Sequence, residues 1–148
     1  MIEQVTLFVI KKQAEIGEFL LSFFMIVWGL WLLNPFWETF SLPSFAAFLM
    51  IADESVWGIV ALLIGIGTLV SAGVKVYLAR RIMIFLNIFW WTFVSTMFLI
   101  AVPENTAAPI YMMLAILSFW RYIKLILIVE MERKFFEKPE NNRRLVER

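Results

Sequence analysis

Two groups of polar residues stand in otherwise apolar stretches, where they could do chemistry. The first group is ionisable: Glu18 in the first stretch, Lys75 near the end of the second, Arg121 and Lys124 in the last. A charge held inside a bilayer costs about 3 kcal/mol or more, so such residues pair, snorkel to the headgroups, or line a path for protons or ions. Measured from the far ends of their stretches at ~1.5 Å per residue, Glu18 and Arg121 fall within a turn or two of each other in depth. They are expected to face inward and pair, with Lys75 nearby; the competing reading is snorkelling. A proton path would need acids deep in the membrane, and Glu15 and Glu18 both lie near one surface. The second group is Asn87, Trp91 and Ser95, spaced i, i+4, i+8 and therefore on one stripe of a helix. An Asn in such a setting bonds a neighbouring helix; the alternative is a water-lined path between subunits.

What the chain lacks narrows the chemistry further. It has no Cys and no His, which removes thiolate metal sites, disulfides, an axial imidazole, a thiol nucleophile and an imidazole base. No Gly-rich phosphate loop or nucleophile elbow is present. The expectation is no enzymatic activity and no cofactor, with an all-carboxylate site left open. Acids are interleaved with the bases, so no nucleic-acid partner is expected.

The elements that must position these residues follow from composition. The chain has 148 residues, 62% of them hydrophobic, with fifteen Phe and seven Trp, and a mean hydropathy of +0.84. A water-soluble domain would not carry this. Four apolar stretches, at about 17–34, 56–78, 82–102 and 108–129, are each near the ~20 residues that a span requires. The intervening segments 35–56 and 103–108 contain no Lys or Arg, so all thirteen basic residues can lie on one side. The positive-inside rule then puts both termini in the cytoplasm. The expected fold is an all-α integral membrane four-helix bundle, one transmembrane domain over residues 1–148, with a cytoplasmic tail at 130–148. The lipid bilayer is its first partner, and the bacterial inner membrane its expected location as a multi-pass protein.

Local signals refine this frame. Residues 1–16 read either as an amphipathic helix in the interface or as the start of a longer first helix; the long apolar run from Phe19 argues against a cleavable signal. Pro43–Ile51 reads as a short interfacial helix in the external loop, with Asp53, Glu54 and Ser55 capping the second span. Trp28, Trp31, Trp37 and Trp57 cluster as an aromatic belt at the outer boundary, while Trp90, Trp91 and Trp120 sit deeper and pack in the bundle. The last helix is expected to run on to Pro139.

The sharpest packing signal lies in the second span. Gly58, Ala61, Gly65, Thr68 and Ala72 are spaced 3-4-3-4 and share one small-residue face. Such faces let helix backbones approach closely in lipid. The face would pack against another helix of the same subunit, form a seam between subunits, or line a pore.

Three segments carry a resemblance. The run Asn105–Tyr122, the opening Trp28-Gly-Leu-Trp-Leu-Leu-Asn-Pro and the restart Val56-Trp-Gly-Ile resemble small four-helix membrane proteins encoded by bacteriophages and prophages. The resemblance implies a phage or bacterial inner-membrane protein and transfers no functional residue. The leading expectation is a protein that self-associates as a homo-oligomer, acting as a holin-like or defence-type pore or as a membrane platform. The alternative is a membrane anchor whose basic-acidic tail, residues 130–148, recruits a cytoplasmic or virion partner.

Overall fold

The computed structural model describes the backbone of residues 2–36, 38–74 and 76–146, and the side chains of 12, 15–36, 38–74 and 76–133. It is all-helical, with no strand among the described residues. In chain order the elements are α1 (Ile2–Leu32), 3-10 turns at Thr39–Ser41 and Pro43–Phe45, α2 (Ala46–Leu49), α3 (Glu54–Val74), α4 (Tyr77–Ala101) and α5 (Ala107–Val146). Four of these helices are long and apolar enough to cross a membrane: Glu15–Leu32 within α1, α3, α4, and Ala107–Arg133 within α5.

Helix ends follow from local chemistry. Asn34-Pro35 ends α1, because the residue before proline disfavours α geometry. The Asp53 carbonyl accepts from the Val56 amide at 3.0 Å, and Glu54 places a negative charge in the first turn of α3. Val76 is extended (φ −81°, ψ 107°) and its carbonyl accepts from the Arg80 amide at 3.1 Å, which starts α4. Asn105 Oδ1 accepts from the Ala107 amide at 2.8 Å and caps α5.

The helices pair as α1 with α3 and α4 with α5, and the two pairs meet more sparingly along α1–α5 and α3–α4. The α1–α3 seam is a glycine contact. A Cβ added to Gly29 would stand 2.9 Å from the Gly58 carbonyl oxygen, and one on Gly65 would stand 3.0 Å from the Ile26 amide nitrogen. Only hydrogen at these positions lets the two backbones come this close. The α4–α5 seam is aromatic: Tyr111 stacks on Trp91 and Phe98, with centroids 5.6 and 5.1 Å apart.

At the end away from the α3–α4 turn, the segment between α1 and α3 folds over the bundle as a lid of rings. Phe40, Phe45 and Phe48 pack on one another, and Phe45 and Phe48 reach Phe98 at 5.0 and 5.5 Å. Trp57 Nε1 donates to the carbonyls of Phe48 (3.3 Å) and Ala52 (3.1 Å), and the Phe40 amide donates to Glu54 Oε2 at 3.2 Å. Of the short helix expected at Pro43–Ile51, the structure has a 3-10 turn at Pro43–Phe45 that leads into α2. Phe45 and Phe48 are buried on the bundle, while Leu49, Met50 and Ile51 are exposed.

α1 is one helix from Ile2, the second of the two readings given for residues 1–16. Several boundaries differ from the sequence reading. α3 stops at Val74 and α4 begins at Tyr77, so Arg80 and Arg81 sit in the first turns of a helix and not in a loop. α5 runs through Pro139 to Val146; a proline removes one intrahelical bond, and the ladder closes on either side of it. The indole of Trp57 turns inward and that of Trp28 is half-buried, whereas Trp120 points outward. Trp37 and Lys75 lie outside the described residues.

Candidate functional site

Glu18, Arg80 and Arg121 converge at the end of the bundle that holds the α3–α4 turn. Glu18, one turn into the apolar part of α1, faces inward and is 2% exposed. Arg80, in the first turn of α4, meets it with both prongs: Nη2 lies 2.6 Å from Oε1 and Nε 3.0 Å from Oε2. The fork of a guanidinium matches the two oxygens of a carboxylate, and such charge-assisted pairs are among the stronger hydrogen bonds. Burial makes the match necessary, because either charge alone would lack solvation. Ser22 Oγ donates to the Glu18 carbonyl at 2.7 Å, so the polar chemistry of this turn is locally closed.

Arg121 belongs to the same cluster. Its guanidinium lies on Gly17, in space that any side chain at position 17 would fill, and the Glu18 charge acts on it. The sequence assigned Arg121 to Glu18; the bidentate pair is made by Arg80, with Arg121 alongside. The reason is the earlier start of α4, which lifts Arg80 out of the turn and onto the inward face. Glu18, Arg80 and Arg121 thus join α1, α4 and α5 at one level. Around them, Tyr77 donates to Glu132, the Arg81 guanidinium lies 5.8 Å from the Tyr122 ring centroid, and Lys124 lies 5.7 Å from that of Trp120. Among the described residues no group of three metal-ligating side chains comes together.

The stripe Asn87, Trp91, Ser95 lies inside the subunit, and all three residues are buried. Asn87 Nδ2 donates at 2.8 Å to Thr68 Oγ1 on α3, and at 2.8 Å to the Met83 carbonyl. Ser95 Oγ donates at 2.8 Å to the Ala108 carbonyl of α5. The stripe ties α4 to α3 on one side and to α5 on the other. Asn87→Leu is expected to cost about 1 kcal/mol, the scale of one interhelical side-chain bond in a membrane protein, read as a lower midpoint in denaturant titration of the purified protein.

The small-residue face of α3 is taken up within the subunit. Gly58 and Gly65 contact α1, Ala61 is fully buried, and Thr68 receives Asn87, while Ala72 is half-buried. Sequence reasoning missed three residues here: Arg80, read as a turn residue; Gly29, the counterpart of Gly58; and Tyr111, whose hydroxyl accepts from Trp28 Nε1 at 3.1 Å. Only Gly29 left a usable signal, as the sole glycine in the second half of α1. Comparison with known proteins adds nothing to this picture: no family model, curated protein or solved structure matches the chain.

Proposed function

We propose that this chain is a non-enzymatic multi-pass membrane anchor that holds the charged continuation of α5 in the cytoplasm as a docking helix for a protein partner. The observation that carries the reading is the continuity of α5: the same helix that spans apolar depth to Arg133 goes on to Val146. Its continuation over residues 134–146 is ~20 Å long at ~1.5 Å per residue. There Lys134, Glu137, Lys138, Glu140, Arg143 and Arg144 mix both signs, which suits a protein partner better than a uniformly anionic one. Orientation follows from the basic residues, and a bacterial inner membrane fits the phage-type resemblance of three segments.

The interior supports an anchor over a conduit. The bundle axis is filled by Trp90, Trp91, Val94 and Phe98, and the buried Glu18–Arg80 pair and Arg121 are gathered at one end. A self-associating pore or platform would need a seam between subunits, and the small-residue face that the sequence offered for it is covered by α1.

The absence of native Cys makes topology directly testable. Ser41→Cys and Glu104→Cys are expected to react with an impermeant maleimide in intact cells, and Asn141→Cys only in inverted vesicles. A photo-crosslinker at position 141 is then expected to yield a discrete protein adduct. Deleting 134–148 is expected to leave the bundle folded and the adduct-forming partner unbound. Dye entry on induced expression, with no adduct, would move the reading to the pore.

A further inference from the structure

We infer that the cleft between α1 and α5, in the half of the bundle away from the arginines, binds one acyl chain of a membrane phospholipid that enters sideways from the lipid. This inference rests on membrane insertion and not on the anchoring role. The cleft encloses about 530 Å³, inside the ~300–1,000 Å³ range of ligand pockets. Its floor is made of buried Trp91, Leu32 and Phe45, and its rim of Phe24, Val27, Ile110 and Met113, all exposed on the outer surface. The mouth therefore opens laterally, where lipid chains lie.

Shape selects the occupant. Along α1 the lining runs from Phe24 to Leu32, ~12 Å, and along α5 from Ala107 to Leu114, ~10 Å, at ~1.5 Å per residue. That is most of one leaflet of a ~30 Å hydrocarbon core. A slot parallel to the helices, mostly apolar and most of one leaflet deep, fits an extended hydrocarbon chain better than a compact ring system. The polar chemistry is also placed for a lipid. Thr39 lines the end of the cleft nearest the lid, and its Oγ1 is buried without a hydrogen-bond partner. A buried hydroxyl in that state lacks an acceptor, and the ester carbonyl of a glycerophospholipid sits at this depth when its chain points toward the bilayer centre. Trp91, on the floor, likewise has an unpartnered Nε1. The cleft also lies on the sparser of the contacts made by α1, so a chain there completes packing that the helices leave open.

The test is photolabelling of the full chain in phosphatidylcholine nanodiscs that carry a trace of phospholipid with a diazirine at its acyl terminus. Adducts are expected to concentrate on peptides 24–32 and 107–114, about fivefold over the equally exposed α3 stretch 59–70, the ratio that ~1 kcal/mol of preference gives. Leu114→Trp, which fills the cleft, is expected to abolish the enrichment, and Ile66→Trp on the outer face of α3 to leave it intact. Thr39→Val is expected to reduce it for the phospholipid and not for a diazirine fatty acid lacking the glycerol ester. Labelling that follows lipid exposure evenly around the bundle would overturn the inference, as would displacement by free fatty acid with none by phospholipid. The wild-type distribution decides the matter even if the filled variant misfolds.

Discussion

Glu18→Ala is expected to lower the unfolding free energy by about 3–5 kcal/mol, the cost of stranding one partner of a buried ion pair. The substitution removes the carboxylate that takes both prongs of Arg80 and leaves that guanidinium buried, with Arg121 close by. Two positive charges would then share a site with no counter-charge. Arg80→Leu should cost less, because Arg121 stays within electrostatic reach of Glu18. The double variant Glu18→Leu with Arg80→Leu should recover most of the loss, since a matched apolar replacement removes the desolvation cost along with the attraction. Unfolding of purified protein in mixed detergent, followed by tryptophan fluorescence, reads this order. A larger loss from Arg121→Leu than from Arg80→Leu would show that the pairing is assigned to the wrong arginine.

Gly29→Leu is expected to be the most damaging change at the α1–α3 seam. Two of the three nearest atoms that a Cβ would meet are backbone, the Gly58 carbonyl oxygen at 2.9 Å and the Leu62 amide nitrogen at 3.0 Å; the third is the Leu62 Cγ at 2.9 Å. Backbone cannot swing aside, so the two helices must separate along their length. Gly29→Ala alone should cost about 1–3 kcal/mol, the range for overpacking a close-fitted contact, and leucine more. Gly58→Ala should be milder, because its nearest obstacle is the Leu33 side chain at 2.7 Å, which can change rotamer. Gly73 has open space around it, and Gly73→Ala is the matched control, expected to be neutral or slightly stabilising. An equal effect of alanine at Gly29 and at Gly73 would mean that close approach at the α1–α3 seam does not set the cost.

The periodic part of this architecture was legible in the amino-acid order. Four apolar stretches, the Asn34-Pro35 stop and the small face from Gly58 to Thr68 each announce themselves through spacing. What escaped depends on contacts between distant residues. The bidentate partner of Glu18 turned on five residues of helix boundary: with α4 starting at Tyr77, Arg80 points inward, whereas a start at residue 82 would have left it in the turn. The lid escaped for a related reason. Phe40 and Phe45 lie in 3-10 turns, whose sequence signal is weak, and Phe48 in the single turn of α2, so a short helix at Pro43–Ile51 was legible while the gathering of the three rings was not. Trp57 was read as a boundary residue from its position near a helix start; its indole instead finds two carbonyls in the folded lid, a destination that only the folded chain supplies.

The pairing of α1 with α3 and of α4 with α5 joins helices that are neighbours in synthesis. Each hairpin can close its own seam, while the Asn87–Thr68 bond, the contacts of Phe45 and Phe48 with Phe98 and the Glu18–Arg80 pair need both halves. Glu18 precedes Arg80 by 62 residues, so its carboxylate has no bidentate partner until the later leaf docks against the earlier one. Mating of that carboxylate then reports that both leaves are present and in register, which makes the ion pair a record of completed assembly rather than a source of it.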